Sequence, residues 1–377
     1  MNPQTRFTLP PELAATEPPE QRGLARDEVR LLVAETGRTV RHATFRDIGA
    51  FLRPGDLMVV NNSATRASAV DGLRADGRPV TVHFSHRVPD VDEWVVELRT
   101  PQGAARVHDA RPGELLLLPR GVTATLQAAH PDPSRGVGSR LWLAHIPVEG
   151  GVTGWLERVG RPISYGYLST RPPLSAYQTM FAREPGSAEM PSAGRPFSPR
   201  VLADLTRLGV AVAEVTLHTG VSSIEAGEPP PAEWYRVPPD TAQQVNTTHA
   251  GGRRVIAVGT TVARALESAA DPRGRLAPAS GWTELVLGPG RAPRVVDGLI
   301  TGWHEPTASH LLLLEAFAGP ELVGRAYAAA LAARYRWHEF GDSCLLLPQS
   351  PRQLVDPVVT RHAPYGPGPS WSTTTDL

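Results

Sequence analysis

The sequence predicts an α/β protein: a mixed, mostly parallel sheet with flanking helices, carrying an inserted small all-β domain of barrel-like character. Three observations predict it. Apolar strand-like runs alternate with helix-like runs after about residue 165, the pattern of strand–crossover–strand units. Between about residues 64 and 146 helical periodicity nearly vanishes, and short alternating strands are separated by Gly, Pro and Asp turns. Finally, 377 residues at 41% hydrophobic and 20% charged form a globular balance, long enough for two domains or more. The expected division is a discontinuous α/β domain over 1–63 and 147–347, the β insertion over 64–146, and a Pro-rich tail over 348–377.

In chain order, residues 7–13 are a turn-rich opening and 29–34 (VRLLVA) an apolar strand. A short helix over 48–52 leads through Arg53-Pro-Gly-Asp56 into a buried strand, 57–60, that ends at Asn61-Asn62. Within the insertion, 79–84, 93–99 and 138–146 read as strands. Ser198 caps an amphipathic helix over 198–208 that Gly209 stops, and a strand follows over 210–218. A helix over 240–246 precedes the strand 254–258, which passes through Gly259-Thr260-Thr261 into a helix over 262–270. Strands are expected at 283–287 and 294–300, helices at 308–317 and 320–335, and a last strand at 343–347.

Composition narrows the chemistry. The 38 cations, all of them Arg, balance 38 acidic residues, so the formal net charge is zero. A bulk positive field for holding nucleic acid is absent, although a local basic patch is not excluded. Without lysine there is no Schiff base, no P-loop lysine and no lysine general base. The single Cys344 excludes an internal disulfide and any multi-cysteine zinc or iron–sulfur site, and no histidine spacing makes a metal motif. The N-terminus lacks a signal-peptide pattern, and the leucine runs 115–118 and 311–314 are far too short to span a bilayer. No membrane association and a cytoplasmic location are expected.

Ligands of open α/β sheets bind at the carboxyl ends of strands. That rule singles out Gly259, Thr260 and Thr261, where a helix N-terminus offers unpaired N–H groups to a carboxylate or phosphate. An ordinary cap by Thr260 is the alternative. Arg264 and Glu267 read either as site residues or as a surface ion pair. His218 and His304 each end a strand before a turn, so both are candidates to face one crevice, with structural hydrogen bonding as the alternative. Ser164-Tyr165-Gly166, Tyr177-Gln178-Thr179, the loop 190–197 containing Ser192 and Gly194, and Glu339-Phe-Gly-Asp342 have the composition of binding loops or of plain turns.

Several stretches carry more information together than singly. They are Leu52-Arg-Pro-Gly-Asp-Leu57 with Val60-Asn-Asn62, Tyr177-Gln-Thr-Met-Phe-Ala182 with Pro185-Gly186, and Pro191-Ser-Ala-Gly194 with Phe197. Val215-Thr-Leu-His218, Arg254-Val-Ile-Ala-Val-Gly-Thr-Thr261 with Arg264 and Leu266-Glu-Ser268, and Gly281-Trp-Thr283 follow. Val295-Val-Asp-Gly-Leu-Ile-Thr301 with His304, Ala316-Phe-Ala-Gly319, and Tyr335-Arg336 with Gly341-Asp342 complete the set. In this order and spacing, from Phe7 to about Leu347, the chain resembles the S-adenosylmethionine:tRNA ribosyltransferase-isomerases of queuosine biosynthesis.

The resemblance implies S-adenosylmethionine as a substrate, with no metal or redox cofactor. In that chemistry the sulfonium acidifies the ribose 5′ carbon, a base removes a proton there, and adenine is expelled. The aminomethyl group of a deazaguanine base in tRNA takes the ribose carbon, methionine leaves, and an epoxycyclopentanediol remains. The resemblance places Gly259, Thr260 and Thr261 against an anion or ribose hydroxyl and Arg264 against the methionine carboxylate. Glu267, Tyr177, Gln178, Ser192 and Gly194 join the binding set, and His218, His304 and Asp342, in that order, are the candidate acids or bases.

Three segments depart from the family pattern. Arg195-Pro196 stands where the family carries Leu-His, Pro229-Pro-Pro231 replaces a pair of histidines ahead of Glu233-Trp-Tyr235, and Gly302-Trp-His-Glu-Pro-Thr-Ala308 lacks a family lysine. tRNA is the expected acceptor. Two alternatives stay open: a divergent paralogue that uses S-adenosylmethionine with a small-molecule acceptor or as an adenine-releasing lyase, and a non-catalytic binding protein. The oligomeric state is not legible.

Overall fold

The computed structural model describes residues 3–349 apart from 90, 104, 222–230, 289–290 and 307. The chain begins with β1 (Arg30–Glu35), β2 (Arg41–Thr44), β3 (Leu57–Asn61) and the short β4 (Ser63–Thr65). Six strands of the insertion follow: β5 (Ala69–Arg74), β6 (Pro79–Arg87), β7 (Glu93–Arg99), β8 (Leu115–Leu118), β9 (Val122–His130) and β10 (Leu141–His145). The rest comprises α1 (Val152–Val159), β11 (Glu184–Ser187), α2 (Pro199–Leu208), β12 (Ala211–Leu217), β13 (Glu233–Val237), α3 (Pro239–Ala250), β14 (Val255–Val258) and α4 (Thr260–Ser268). It closes with β15 (Ala279–Thr283), β16 (Gly298–Thr301), α5 (His310–Ala318), α6 (Pro320–Ala332) and β17 (Ser343–Leu347).

Nine strands form one mixed sheet in the order β15-β13-β12-β3-β14-β16-β17-β1-β2. Its centre, β12-β3-β14-β16, pairs in parallel, while β15, β13, β17 and β2 bring antiparallel partners. The parallel strands β3 and β14 are buried along their whole length, as uninterrupted apolar runs must be when helices cover both faces. On one face α3 to α6 pack Val245, Leu266, Leu314 and Val323 against the sheet. On the other, α2 and a 3-10 turn over Phe45–Phe51 contribute Val201, Leu205, Phe45 and Ile48. The α2 ends are those the sequence indicates: the Ser198 hydroxyl accepts the Val201 N–H at 3.3 Å, and Gly209 takes the left-handed conformation at φ 82°.

The insertion is a closed antiparallel barrel in the order β10-β7-β6-β5-β8-β9, with Phe84, Trp142 and Leu126 in its interior and Trp155 of α1 packed beside them. The short pair β4–β11 links it to the sheet.

Three expectations shift. The strand expected at 283–287 lies instead at Ala279–Thr283, and 285–287 is left to border a cavity. The strand expected from 294 begins only at Gly298, because the amides of Arg294, Val295 and Val296 donate to the Glu267 carboxylate and not to a neighbouring strand. β13, which the sequence pattern did not single out, is a full member of the sheet. Of the Pro-rich tail, residues from 350 onward lie outside the described residues. Among the described residues no helix is long and apolar enough to cross a membrane.

One buried ion pair ties the turn before β3 to the start of β14. Asp56, 1% exposed, accepts the Arg53 N–H at 2.8 Å and both Nε and Nη2 of Arg254. Removing the carboxylate strands a buried guanidinium, so Asp56→Ala should lower stability by about 3–5 kcal/mol in urea unfolding; a loss under about 1 kcal/mol would contradict this account.

Candidate active site

The carboxyl edge of the central strands opens onto a cavity of about 660 Å³. Gly259, Thr260 and Thr261 reach it from the end of β14, Thr301 to Glu305 from β16, and Thr219 from just beyond β12. Because β17 runs antiparallel to β16, the chain entering β17 meets the same edge and brings His338 and Glu339. Tyr165, Tyr167, Glu189 and Ser192 line it from the segment between the barrel and α2, and Arg99 reaches it from β7.

At Gly259 the backbone has φ 101°, and an added Cβ would lie 3.3 Å from Thr261 Oγ1 and 3.4 Å from Ala193 Cβ. Only glycine suits that turn. The turn delivers the first N–H groups of α4 to the cavity, a setting for an anionic group. Ser192 and Tyr177 also line the cavity, and the buried Tyr177 hydroxyl has no hydrogen-bond partner among the described residues. Burial holds that phenol well above its ordinary pKa, so it stays protonated.

His304 is also in the cavity. Its Nε2 shares a 3.0 Å hydrogen bond with Thr301 Oγ1, and its ring lies parallel to His310 at 4.5 Å. Burial, then the neighbouring His310 and His338, push it well below the usual imidazole value; burial takes His310 and His338 to about 4. All three imidazoles are therefore neutral near pH 7.

Arg264 borders the cavity but is not free to read a carboxylate. Its guanidinium pairs with Glu233 and donates to the carbonyls of Leu285 (3.1 Å), Pro231 (3.2 Å) and Thr283 (3.2 Å).

Five candidates fall outside. His218 turns to the other face, stacks on Trp234 at 5.2 Å and bonds Ser63 Oγ at 2.7 Å, which corrects its expected place as a base in the crevice. Just past the end of β12, Thr219, one residue on, is the one that lines the cavity. Asp342 is corrected likewise, since its oxygens accept the amides of Arg30 (2.8 Å) and Arg336 (2.7 Å). Glu267 holds the segment before β16, as above. The Gln178 amide closes on the Thr65 backbone (3.1 and 2.8 Å), and Gly194 packs on Thr179 and Phe181.

The residues that sequence reasoning passed over are acidic and phenolic. Tyr165 donates to Glu189 and Tyr167 to Glu339; burial and the adjoining carboxylates hold both phenols well above the ordinary range. Burial raises the Glu339 carboxyl to about 7, with Glu189 adding to the rise, against the Tyr167 bond and the Arg195 charge. Tyr167 stacks on His338 at 4.0 Å, and His338 sits at φ 72°, the turn that aims Glu339 inward. The segments Ser164–Gly166 and Glu339–Asp342 include Tyr165 and Glu339 but not Tyr167 or Glu189, and sequence alone did not say which carboxylate faced in. Glu189, Glu233, Glu305 and Glu339 outnumber Arg99 and Arg264 around the cavity, so its field suits a cationic ligand.

A mixed sheet whose carboxyl edge opens on a nucleoside-sized, acid-lined cavity beside a small barrel defines an α/β ligand-binding protein of two parts. The chain belongs to the queuosine biosynthesis protein family, whose sequence model matches residues 3–346. It is 35% identical to the S-adenosylmethionine:tRNA ribosyltransferase-isomerase of Symbiobacterium thermophilum over 90% of this chain and 98% of that one. The enzyme of the same name from Pelobacter propionicus is 36% identical over 90% of this chain and 98% of its own. The crystal structure of an S-adenosylmethionine tRNA ribosyltransferase from Thermotoga maritima is 28% identical, with a TM-score of 0.50 over 91% of this chain and 99% of that one.

The contacts of Arg264 predict what its loss does. Arg264→Ala leaves Glu233 buried without its cation and should cost about 3 kcal/mol or more of stability in chemical unfolding; a stability within about 1 kcal/mol of the parent would refute the bracing role.

Proposed function

We propose that this protein transfers and isomerises the ribosyl group of S-adenosylmethionine onto a 7-aminomethyl-7-deazaguanine base in tRNA, releasing adenine and methionine. The observation that carries the reading is the acid-lined cavity, lined both by Glu339, raised to about 7, and by the α4 N-terminus, in a chain of this family. The carboxylates balance the sulfonium, and the apolar Leu285, Val286 and Trp303 offer a wall for adenine. The N–H groups at Gly259–Thr261, with Ser192, receive the methionine carboxylate or a ribose hydroxyl; Arg264 braces the wall behind them. The named reaction of the relatives supports tRNA and S-adenosylmethionine as substrates, and a cytoplasmic location goes with that reading.

Glu339 is the general base in this reading. A carboxylate of pKa near 7 is half ionised at neutral pH and still basic enough to accept a proton. It takes the proton from the ribose 5′ carbon that the sulfonium acidifies. The glycosidic bond then breaks with its electron pair on adenine, which takes up the proton that Glu339 accepted. The acceptor amine forms its bond to the ribose carbon and releases a proton to solvent, and the C–S bond breaks, returning its pair to sulfur as methionine leaves. The protonated Tyr165 and Tyr167 hydroxyls hold Glu189 and Glu339 in place.

Incubation with S-adenosylmethionine should release adenine only when tRNA bearing the deazaguanine precursor is present, followed by chromatography. Release without tRNA would overturn the tRNA acceptor, and binding without release would overturn the enzyme. Glu339→Gln should cut turnover by at least about 100-fold, whereas His218→Ala should leave the chemical step within about threefold. Because the ionised carboxylate is the active form, kcat/KM for adenine release should fall as pH drops through about 7. A profile flat from pH 5 to 8 would remove Glu339 from the role of base.

A further inference from the structure

A row of rings crosses the seam between the sheet and the barrel. β13 alternates buried and half-buried residues, so Trp234 and Arg236 face away from Glu233 and the cavity. Trp282 lies directly opposite Trp234 in the antiparallel register, on β15, the edge strand of the sheet. On the inner side, the His218 N–H donates to the Trp234 carbonyl at 2.9 Å and the two rings stack. From the barrel, His86 comes to 5.0 Å of Trp282, and His130 to 6.4 Å of His86. Among the described residues Trp282 is the one aromatic side chain counted with the exposed large hydrophobics, at 39% exposure.

Cations flank the row. Arg236 pairs through Nη2 with Glu184 at 3.2 Å and Arg66 lies over the Trp94 ring at 5.4 Å, each keeps a buried Nε without a hydrogen-bond partner among the described residues, and both act electrostatically on His218. The cavity is close by along the chain: Thr219 and Glu233 line it and adjoin His218 and Trp234, while Leu285 and the exposed Val286 line it just after Trp282.

We propose that this row is a stacking platform for unpaired bases of the RNA acceptor, next to the nucleotide that enters the cavity. The inference rests on the RNA-modifying reading above and assigns the surface that reading lacks. A base that reacts inside a cavity must leave its stack, which deprives its neighbours of a stacking partner. Aromatic faces on residues adjoining the cavity lining replace that partner whatever the flanking sequence, and nearby guanidiniums follow the phosphates. Burial pushes His218 and His86 to about 4, so at neutral pH they present uncharged faces. In a chain of zero net charge, attraction to RNA has to come from such a local surface.

The test reads RNA binding apart from turnover. A labelled tRNA carrying the deazaguanine base is titrated with the intact parent protein, Trp282→Ala and Trp282→Phe, by fluorescence anisotropy; S-adenosylmethionine affinity is measured by calorimetry as the control for folding. Trp282→Ala should weaken RNA binding about fivefold or more, Trp282→Phe should retain most of it, and S-adenosylmethionine affinity should not change. RNA affinity unchanged in Trp282→Ala would overturn the platform, while adenine release with tRNA would leave the proposed function standing. A loss that Trp282→Phe shares in full would also overturn it, because stacking needs only an aromatic face. A parent protein that binds no RNA and releases no adenine with it would overturn both.

Discussion

A guanidinium buried on α4 holds the cavity open. Arg264 and Glu233 face each other with side chains only 8% exposed, and further Arg264 donors go to the carbonyls of Pro231, beside Glu233, and of Thr283 and Leu285 at the end of β15. The Glu233 carboxylate also accepts the Gly220 N–H at 3.0 Å, which ties in the turn after β12. Taking both charges out of water is costly, and the mutual pairing together with the hydrogen bonds to four backbone groups offsets that cost. Burial raises the Glu233 carboxyl while the Arg264 charge lowers it. The pair thus works as a clamp: it fixes where α4 starts relative to β13 and β15, and the hollow between them follows.

Within that hollow, burial sorts the ionisable groups by type. Imidazoles are driven neutral, phenols are kept protonated, and Glu339 is lifted to the middle of the physiological range. The same desolvation gives opposite charge outcomes because it always penalises the ionised form. A histidine is consequently a poor cation here, and a carboxylate is the group poised to exchange a proton. The barrel takes part as well: Arg99 stands 5.0 Å over the Tyr165 ring and His83 meets its edge at 5.9 Å, so barrel residues buttress the Tyr165–Glu189 contact.

The departures from the family pattern acquire physical content in this setting. Arg195, which stands in place of a family residue, pairs with Glu20 at 2.8 Å, donates to the Ala176 carbonyl at 2.9 Å and lies over the Phe340 ring. Its charge also lowers Glu339 somewhat against the rise from burial. The substitution therefore braces the N-terminal turn against the segment bearing Glu339.

Sequence alone determined the architecture, and it pointed to the strand ends that border the cavity at Gly259–Thr261 and Thr301–Glu305. Alternating strand and helix patterns, the helix-poor insertion, the cap at Ser198 and the glycine turn before α4 are local signals, set by backbone geometry within a few residues. What only the tertiary structure decided was direction. Thr219 instead of His218, and Glu339 instead of Asp342, line the cavity; Glu267 turns its carboxylate on three amides and delays to Gly298 the strand that the run at 294–300 announced. One residue of register reverses a side chain in a strand, and a single left-handed residue, His338, redirects a turn. Burial, which sets the pKa of each group, is likewise a property of what packs around it from distant parts of the chain.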